Sequence, residues 1–423
     1  MNVMDGSTPE SGGPGTAARR ERTAVFLAAA VRNLALGLAS VEIPLLWRNR
    51  GLGPAAIGGL FALALGASGL GSAAVGLWAH RLGRRRLLRA QGLMLTLGGV
   101  ALAVGHAPWL WILAAATATF SPSGKDVGGM LPLEQAVLAE HGEGARRTRW
   151  YARYNMLASL AAATGALGAA GMPALARALG RPAASAPALG LWLYAAAGLV
   201  LVLAYAGLGE DPHTGAPSAR PRAARGGLGP SRAVVLRLSA LFAVDALAGG
   251  LVVQGLLVVW FHERYGVGSG VLGPLLFATN LAAAASLLGA PYLARRLGLV
   301  RTMVFTHLPS NLLLLLIPLV PHLGWAATLL VLRGLLSQLD VPTRQALTMV
   351  LVQPEERAAA AGLTASVRGL ASSLSPLLSG WAMTLGAWGL PFVAAGGLKT
   401  AYDLTLFASF HNLETMGNDS RSV

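Results

Sequence analysis

Cysteine is absent from all 423 residues, which excludes disulfide scaffolds, thiolate nucleophiles and cysteine-ligated zinc or iron centres. Charge is nearly as scarce. Only 12% of the side chains are Asp, Glu, Lys or Arg, where soluble domains carry roughly 25%. The 33 basic and 18 acidic residues are too few to cover two or three water-exposed domains of this length. Disordered chains are poor in apolar residues and this one is rich in them, so intrinsic disorder is excluded as well. Lysine is the rarest charge: Lys125 and Lys399 stand against 31 arginines.

What fills the chain instead is apolar sequence, 54% of it, with a mean hydropathy of +0.57. A helix crossing a bilayer needs about 20 such residues, so the length accommodates roughly a dozen crossings. Apolar blocks recur at about 23–47, 55–79, 87–106, 108–137, 150–176 and 188–208, and again at 234–261, 270–294, 301–320, 324–351, 358–385 and 388–409. The expected fold is therefore an all-α membrane protein with twelve transmembrane helices in two six-helix bundles. Residues 1–21 are Gly, Ser, Pro and Ala with scattered charge and read as an N-terminal tail. The expected divisions are a first bundle over 22–208, a Pro/Gly/Arg-rich linker over 209–233, a second bundle over 234–410 and a tail over 411–423. Arg19-Arg20 before an apolar run has the look of an export signal. The run continues to Trp47 without a small-residue cleavage site, which favours a first membrane helix.

The net charge of +15 is distributed rather than clustered for nucleic acid. One set of connections carries Arg48, Arg50, Arg177, Arg181 and Arg264; the alternate set and the two tails carry nineteen arginines. The positive-inside rule puts both termini in the cytoplasm of a multi-pass protein of the cell membrane.

The two bundles echo each other. Ala79-His80-Arg81-Leu82-Gly83 returns as Ala294-Arg295-Arg296-Leu297-Gly298 at an offset of 215, and Asp126-Val127 returns as Asp340-Val341 at 214. Two unrelated strings with nearly one period point to a duplicated six-helix unit, and such repeats place a substrate site near the bilayer midplane between the halves. The stretch from Gly76 through Arg81, Gly83, Arg84 and Arg85 resembles the signature loop between helices two and three of the major facilitator superfamily, with His80 where that family normally has Asp. Ser121 to Gly128 and Leu339 to Gln345 are similar to strings in bacterial permeases of the same superfamily. The resemblance implies that the signature loop fastens helix ends on the cytoplasmic side. It also implies that helices one, four, seven and ten line a central cavity. Gly165, Gly168 and Gly171 match only part of a motif found in drug antiporters of the superfamily, and small residues at that spacing also simply let helices approach.

Competing chemistries fail on spacing. The Gly124-Lys125 pair is followed by Asp126, without the Ser or Thr of a phosphate-binding loop. Gly268, Gly270 and Gly273 match a dinucleotide fingerprint but open an apolar span instead of a βαβ unit. None of the eight histidines pairs with another at the helical spacing of a metal site. The expectation is a protein that is not an enzyme, has no cofactor and no metal, and draws on an ion gradient. A scaffold that kept the fold would be expected to present a soluble module, and the longest connection runs only from Gly209 to Ala233.

A charge at the bilayer centre costs about 2.5–3.5 kcal/mol on insertion scales, so each one needs a partner, a wet cavity or a role. Arg32, Asp245, Arg333, Arg368 and Lys399 fall near mid-depth, roughly 13–17 Å along their helices. On the helices that the resemblance assigns to the cavity, Arg32, Lys125 and Arg333 face the single acid Asp245. Three cations against one carboxylate predict an anionic cargo. Gln254 and Asn280 add neutral hydrogen-bonding groups, for cargo or for joining helices. Asp245 is expected to carry the coupled proton. The resemblance further implies that Asp126 accepts Arg84 or Arg85, and Asp340 accepts Arg295 or Arg301, as gate latches; Glu134 is expected to meet Arg146 or Arg149, and Lys399 to pair with Asp403 one turn away. The preferred reading is a monomeric, proton-coupled transporter of a small organic anion working by alternating access in the lipid bilayer. Proton-driven efflux of amphipathic drugs is the alternative.

Overall fold

The computed structural model describes residues 14–124, 128–140, 144–209 and 228–419. Within them every regular element is helical, as a chain dissolved in lipid must be if it is to satisfy its own backbone hydrogen bonds. The first half contains α1 (Pro14–Asn49), α2 (Pro54–Leu82), α3 (Arg84–Val104), α4 (Pro108–Ala116), α5 (Met130–Glu140), α6 (Gly144–Gly168), α7 (Met172–Ala178) and α8 (Ala186–Ala206). The second half contains α9 (Arg232–Leu251), α10 (Gln254–Tyr265), α11 (Ser269–Leu297), α12 (Leu299–Leu316), α13 (Leu323–Leu336), α14 (Asp340–Leu351), α15 (Arg357–Thr384) and α16 (Leu390–Asp419). With α4/α5, α6/α7, α9/α10 and α13/α14 each forming one interrupted passage, these elements make six passages per half. Eight helical stretches are individually long and apolar enough to cross a bilayer.

Several boundaries differ from the sequence reading, the breaks inside the expected 234–261 and 324–351 blocks among them. Helix α1 starts at Pro14, so part of the expected 1–21 tail is helical, and α16 runs to Asp419 through most of the expected 411–423 tail. A proline at the first turn and the alanines after it favour the early start. The fourth apolar block is not one helix: α4 ends at Ala116 and α5 begins only at Met130. Pro122 and the glycines at 124, 128 and 129 explain the break, since Gly124 (φ +66°) and Gly128 (φ +129°) adopt backbone angles that an L side chain resists.

The duplication seen in the sequence is present in the backbone. Gly83 (φ +78°) turns α2 into α3, and Gly298 (φ +89°) turns α11 into α12. Each donates its N–H to the alanine four residues earlier, Ala79 and Ala294, over 3.0 Å.

The halves meet at the end of the molecule opposite the two termini, here termed the distal end. Helix α2 lies along α15, and α6 along α11. A Cβ on Gly58 would stand 2.2 Å from the Pro376 carbonyl oxygen, and one on Gly380 would stand 2.3 Å from that of Pro54. Only glycine permits backbones this close. The Gly255 N–H bonds to the Pro122 carbonyl at 2.9 Å, and Arg48 bonds to Glu263 at 2.6 Å. These contacts close the distal end. The two cavities described next are lined largely from the other, proximal parts of their helices.

Candidate functional site

Polar side chains inside the second half gather around Asp245 on α9. Its carboxylate accepts Lys399 Nζ from α16 at 2.5 Å, Arg344 from α14 at 3.0 Å and Arg368 from α15 at 3.0 Å. Arg344 also donates to Asp340 at 2.7 Å. Behind this layer, His307 on α12 lies between two acids, with Nε2 3.1 Å from Asp340 and Nδ1 3.3 Å from Asp403. Asn311 donates to the other Asp403 oxygen at 2.8 Å. Asp245, Asp340, His307, Arg344, Arg368 and Lys399 all line a cavity of about 450 Å³. The group draws on five helices, α9, α12, α14, α15 and α16, and Arg368, with 28% of its side chain exposed, is its most open cation.

Local sequence explains the convergence. The α13/α14 break at Ser337–Leu339 puts Asp340 at the first position of α14, where the helix dipole favours an anion. Arg344 follows one turn later on the same face. His307 and Asn311 are likewise one turn apart on α12 and present one polar stripe.

The first half is built differently. Arg32 of α1 donates from both terminal nitrogens to Glu134 of α5, each at 2.7 Å. Tyr205 and Tyr154 also accept from Arg32, at 2.8 and 2.9 Å, while both tyrosines donate to the Glu134 oxygens. Arg32 is 2% exposed and Glu134 0%, so this is a buried bidentate pair with two phenols completing its shell. Beside it a cavity of about 700 Å³ is walled mainly by apolar groups, among them Leu63, Leu70, Trp78 and Met94, with Ser68, Gln91 and Thr119 as polar points.

Several expected partners are therefore replaced. Glu134 pairs with Arg32, while Arg146 and Arg149 are exposed; the reason is depth, since α5 carries Glu134 inward of the loop. Asp340 pairs with Arg344 and His307, while Arg295 and Arg301 are exposed near the α11–α12 turn. Lys399 reaches Asp245 instead of Asp403, which His307 and Asn311 occupy. Arg84 bonds to Glu140 at 2.7 Å, and Arg85 is partly exposed. Lys125 and Asp126 lie outside the described residues, as do the surroundings of Gly76 and the side chain of His80. Arg81 is exposed at the end of α2. Arg333 is absent from both cavity linings, and its Nε lacks a hydrogen-bond partner. Gln254 donates to Ser40 of the other half at 2.7 Å and accepts from Asn280 at 3.1 Å, so these two amides link helices across the junction. The sequence reading missed His307, Asn311 and Arg344 as site members; a His-Asn pair one turn apart in an otherwise apolar helix was the available signal. Nothing in the sequence marked Tyr154 and Tyr205.

The sequence pattern of the Major Facilitator Superfamily matches residues 25–376. An uncharacterized membrane protein of Saccharomyces cerevisiae is 23% identical over 363 residues, covering 79% of this chain and 81% of its own. Among solved structures, the nucleoside transporter NupG superimposes with a TM-score of 0.71 at 14% identity, covering 93% of this chain and 99% of its own. A bacterial homologue of the human lysosomal transporter Spinster, solved inward-facing and unoccupied, gives 0.71 at 13% identity over 96% and 98%. The human organic anion transporter MFSD10 gives 0.57 at 20% identity over 93% and 100%.

Proposed function

Because this chain belongs to the Major Facilitator Superfamily, and is thereby a multi-pass membrane protein of a secondary-transport family, we propose that its cargo is a small organic anion moved together with a proton. The observation that carries the reading is the convergence of Lys399, Arg344 and Arg368 on the one carboxylate of Asp245 at a cavity wall. The cavity lining holds Lys399, Arg344 and Arg368 with Asp245 and Asp340, while Asp403 stands behind them on His307 and Asn311, so it is the cations at the open face that an incoming carboxylate or phosphate would meet. Arg368 offers the planar fork best suited to it. An anion that draws Arg368 and Lys399 away leaves Asp245 a buried charge with fewer partners, a state that protonation relieves. Anion and proton then bind as a pair, and the halves rock about the occupied site. Of the expected cation ligands, Arg32 is withdrawn from this scheme because Glu134 already claims both arms of its guanidinium.

Arginine asymmetry in the connections supports a cell-membrane location with the proximal face and both termini in the cytoplasm, and the closed distal end then makes this an inward-open state. A second reading, export of amphipathic drugs, is favoured by the apolar cavity beside Trp78 and Met94. Counterflow in proteoliposomes with an anionic and a cationic amphipath of equal size separates the two. The anion reading expects exchange of the anion, with weaker apparent affinity in Arg368→Ala; exchange of the cation alone would establish the second.

A further inference from the structure

Glu42 on α1 takes no part in the cluster around Asp245. Its side chain is 0% exposed, and neither carboxyl oxygen has a hydrogen-bond partner. Its surroundings come from three helices. From α8, Gly190 comes so close that a Cβ there would stand 2.8 Å from Glu42 Cγ. From α11, in the opposite half, the buried Ser269 hydroxyl is the polar group that faces it. On α1 itself its neighbours Val41, Ile43, Leu45, Leu46 and Trp47 are all buried. Among the described residues no cation bonds to it. The charged groups of the same rim are committed elsewhere: Arg48 to Glu263, and His262 to the Val267 carbonyl.

A carboxylate ion in such a place would be desolvated with nothing to neutralise it, whereas the neutral acid is tolerated. The pocket exists only while α11 of the second half lies against α1 of the first, which is to say while the distal end is shut. Opening that end separates Ser269 from Glu42 and lets water reach the carboxyl. We propose that Glu42 is a proton-binding site of the distal gate, taking up one proton as the halves close over it and releasing it as they part. Glu42 lines neither cavity, so its proton returns to the distal side and is not the one carried with cargo. Acidity on the distal side therefore favours the inward-open state, independently of which solute is transported. The inference rests on alternating access and not on the anionic cargo.

The absence of native cysteine makes the test direct. Spin labels at Ala184→Cys and His322→Cys, two exposed positions on the distal face of opposite halves, report the distal separation in the full-length protein without any substrate. As pH rises above the ordinary range of a hydrated glutamate, the ratio of closed to open distal distances is expected to fall by up to about tenfold per pH unit. Glu42→Gln, a neutral isostere, is expected to hold the closed distance across the whole range, and Glu42→Met to do the same should the Gln variant not fold. A wild-type distance distribution that ignores pH, or a titration that survives either substitution unchanged, would overturn the proposal. Anion binding left unchanged by Arg368→Ala and by Lys399→Ala, with an intact distal titration, would sink the cargo reading and leave this one standing.

Discussion

The two halves descend from one pattern yet treat buried charge in opposite ways. In the first, a single bidentate Arg32–Glu134 pair is enclosed by Tyr154 and Tyr205, each of which hydrogen-bonds to both partners. In the second, Asp245, Asp340 and Asp403 share Lys399, Arg344, Arg368, His307 and Asn311 beside a cavity, and each acid answers to more than one partner. A pair that is complete resists exchange; a cluster in which several cations share one carboxylate can trade a partner for a ligand. The comparison teaches that equal numbers of helices do not imply equal roles: one half offers a stiff, mostly apolar wall and the other offers the ionic chemistry.

The sharpest way to break this contrast is to break the closed pair. Glu134→Gln leaves Arg32 charged and buried, a change of the kind that costs about 3–5 kcal/mol, and thermal unfolding in detergent should show the largest loss of any single substitution considered. Joint replacement, Arg32→Met with Glu134→Leu, should recover most of it, because removing both charges also removes the desolvation penalty. If Glu134→Gln keeps its stability but loses transport selectivity, the first half is also a binding site and the contrast falls.

Next in size is the effect of Asp245→Asn on coupling. Anion exchange between equal pools should persist, since the cations remain, while accumulation driven by a pH gradient should vanish. Uphill uptake that survives in this variant would show that Asp245 does not carry the coupled proton. Arg368→Ala should follow, weakening anion binding roughly tenfold, the value of a hydrogen bond to a charged group of about 1.5 kcal/mol, with binding of a cationic probe unaltered.

The smallest effect lies outside the membrane. Glu356 accepts the N–H of Gly229 at 2.6 Å and of Ser231 at 3.0 Å, joining the loop before α15 to the start of α9. The Ser231 hydroxyl above all, with these two backbone N–H groups behind it, favours the ionised form and holds the carboxyl below the usual glutamate range. With the folded-state value depressed, the contribution is present above the unfolded value of about 4.3 and fades as pH drops through the folded one. The difference in melting temperature between the wild type and Glu356→Gln should therefore be small at neutral pH and shrink further on acidification.

Much of the fold was legible because lipid leaves few choices. Long apolar runs have to be helices, and a recurring Ala-x-Arg-Leu-Gly string has to make the same turn twice, as Gly83 and Gly298 do. The members of the ionic cluster were partly legible: Asp245, Arg368 and Lys399 stood out because charge at mid-depth is expensive. Who pairs with whom was not. Lys399 has Asp403 one turn away on its own helix, and only the packing of α9, α12 and α16 reveals that Asp245 wins it while His307 takes Asp403. Arg32 read as a free cavity cation because its partner lies beyond the irregular segment that follows α4, where residue counting along an ideal helix fails. Glu42 gave no sign of its isolation, since an orphaned carboxyl is defined by neighbours that are far away in the chain.

The central claim is that an anion is held by the second-half cations around Asp245, and calorimetric titration of the purified protein with matched anionic and cationic amphipaths tests it most directly. The account predicts that the anion binds, that Arg368→Ala weakens it roughly tenfold, and that its binding takes up a proton in the wild type but not in Asp245→Asn. Anion affinity unchanged by Arg368→Ala and by Lys399→Ala would contradict it.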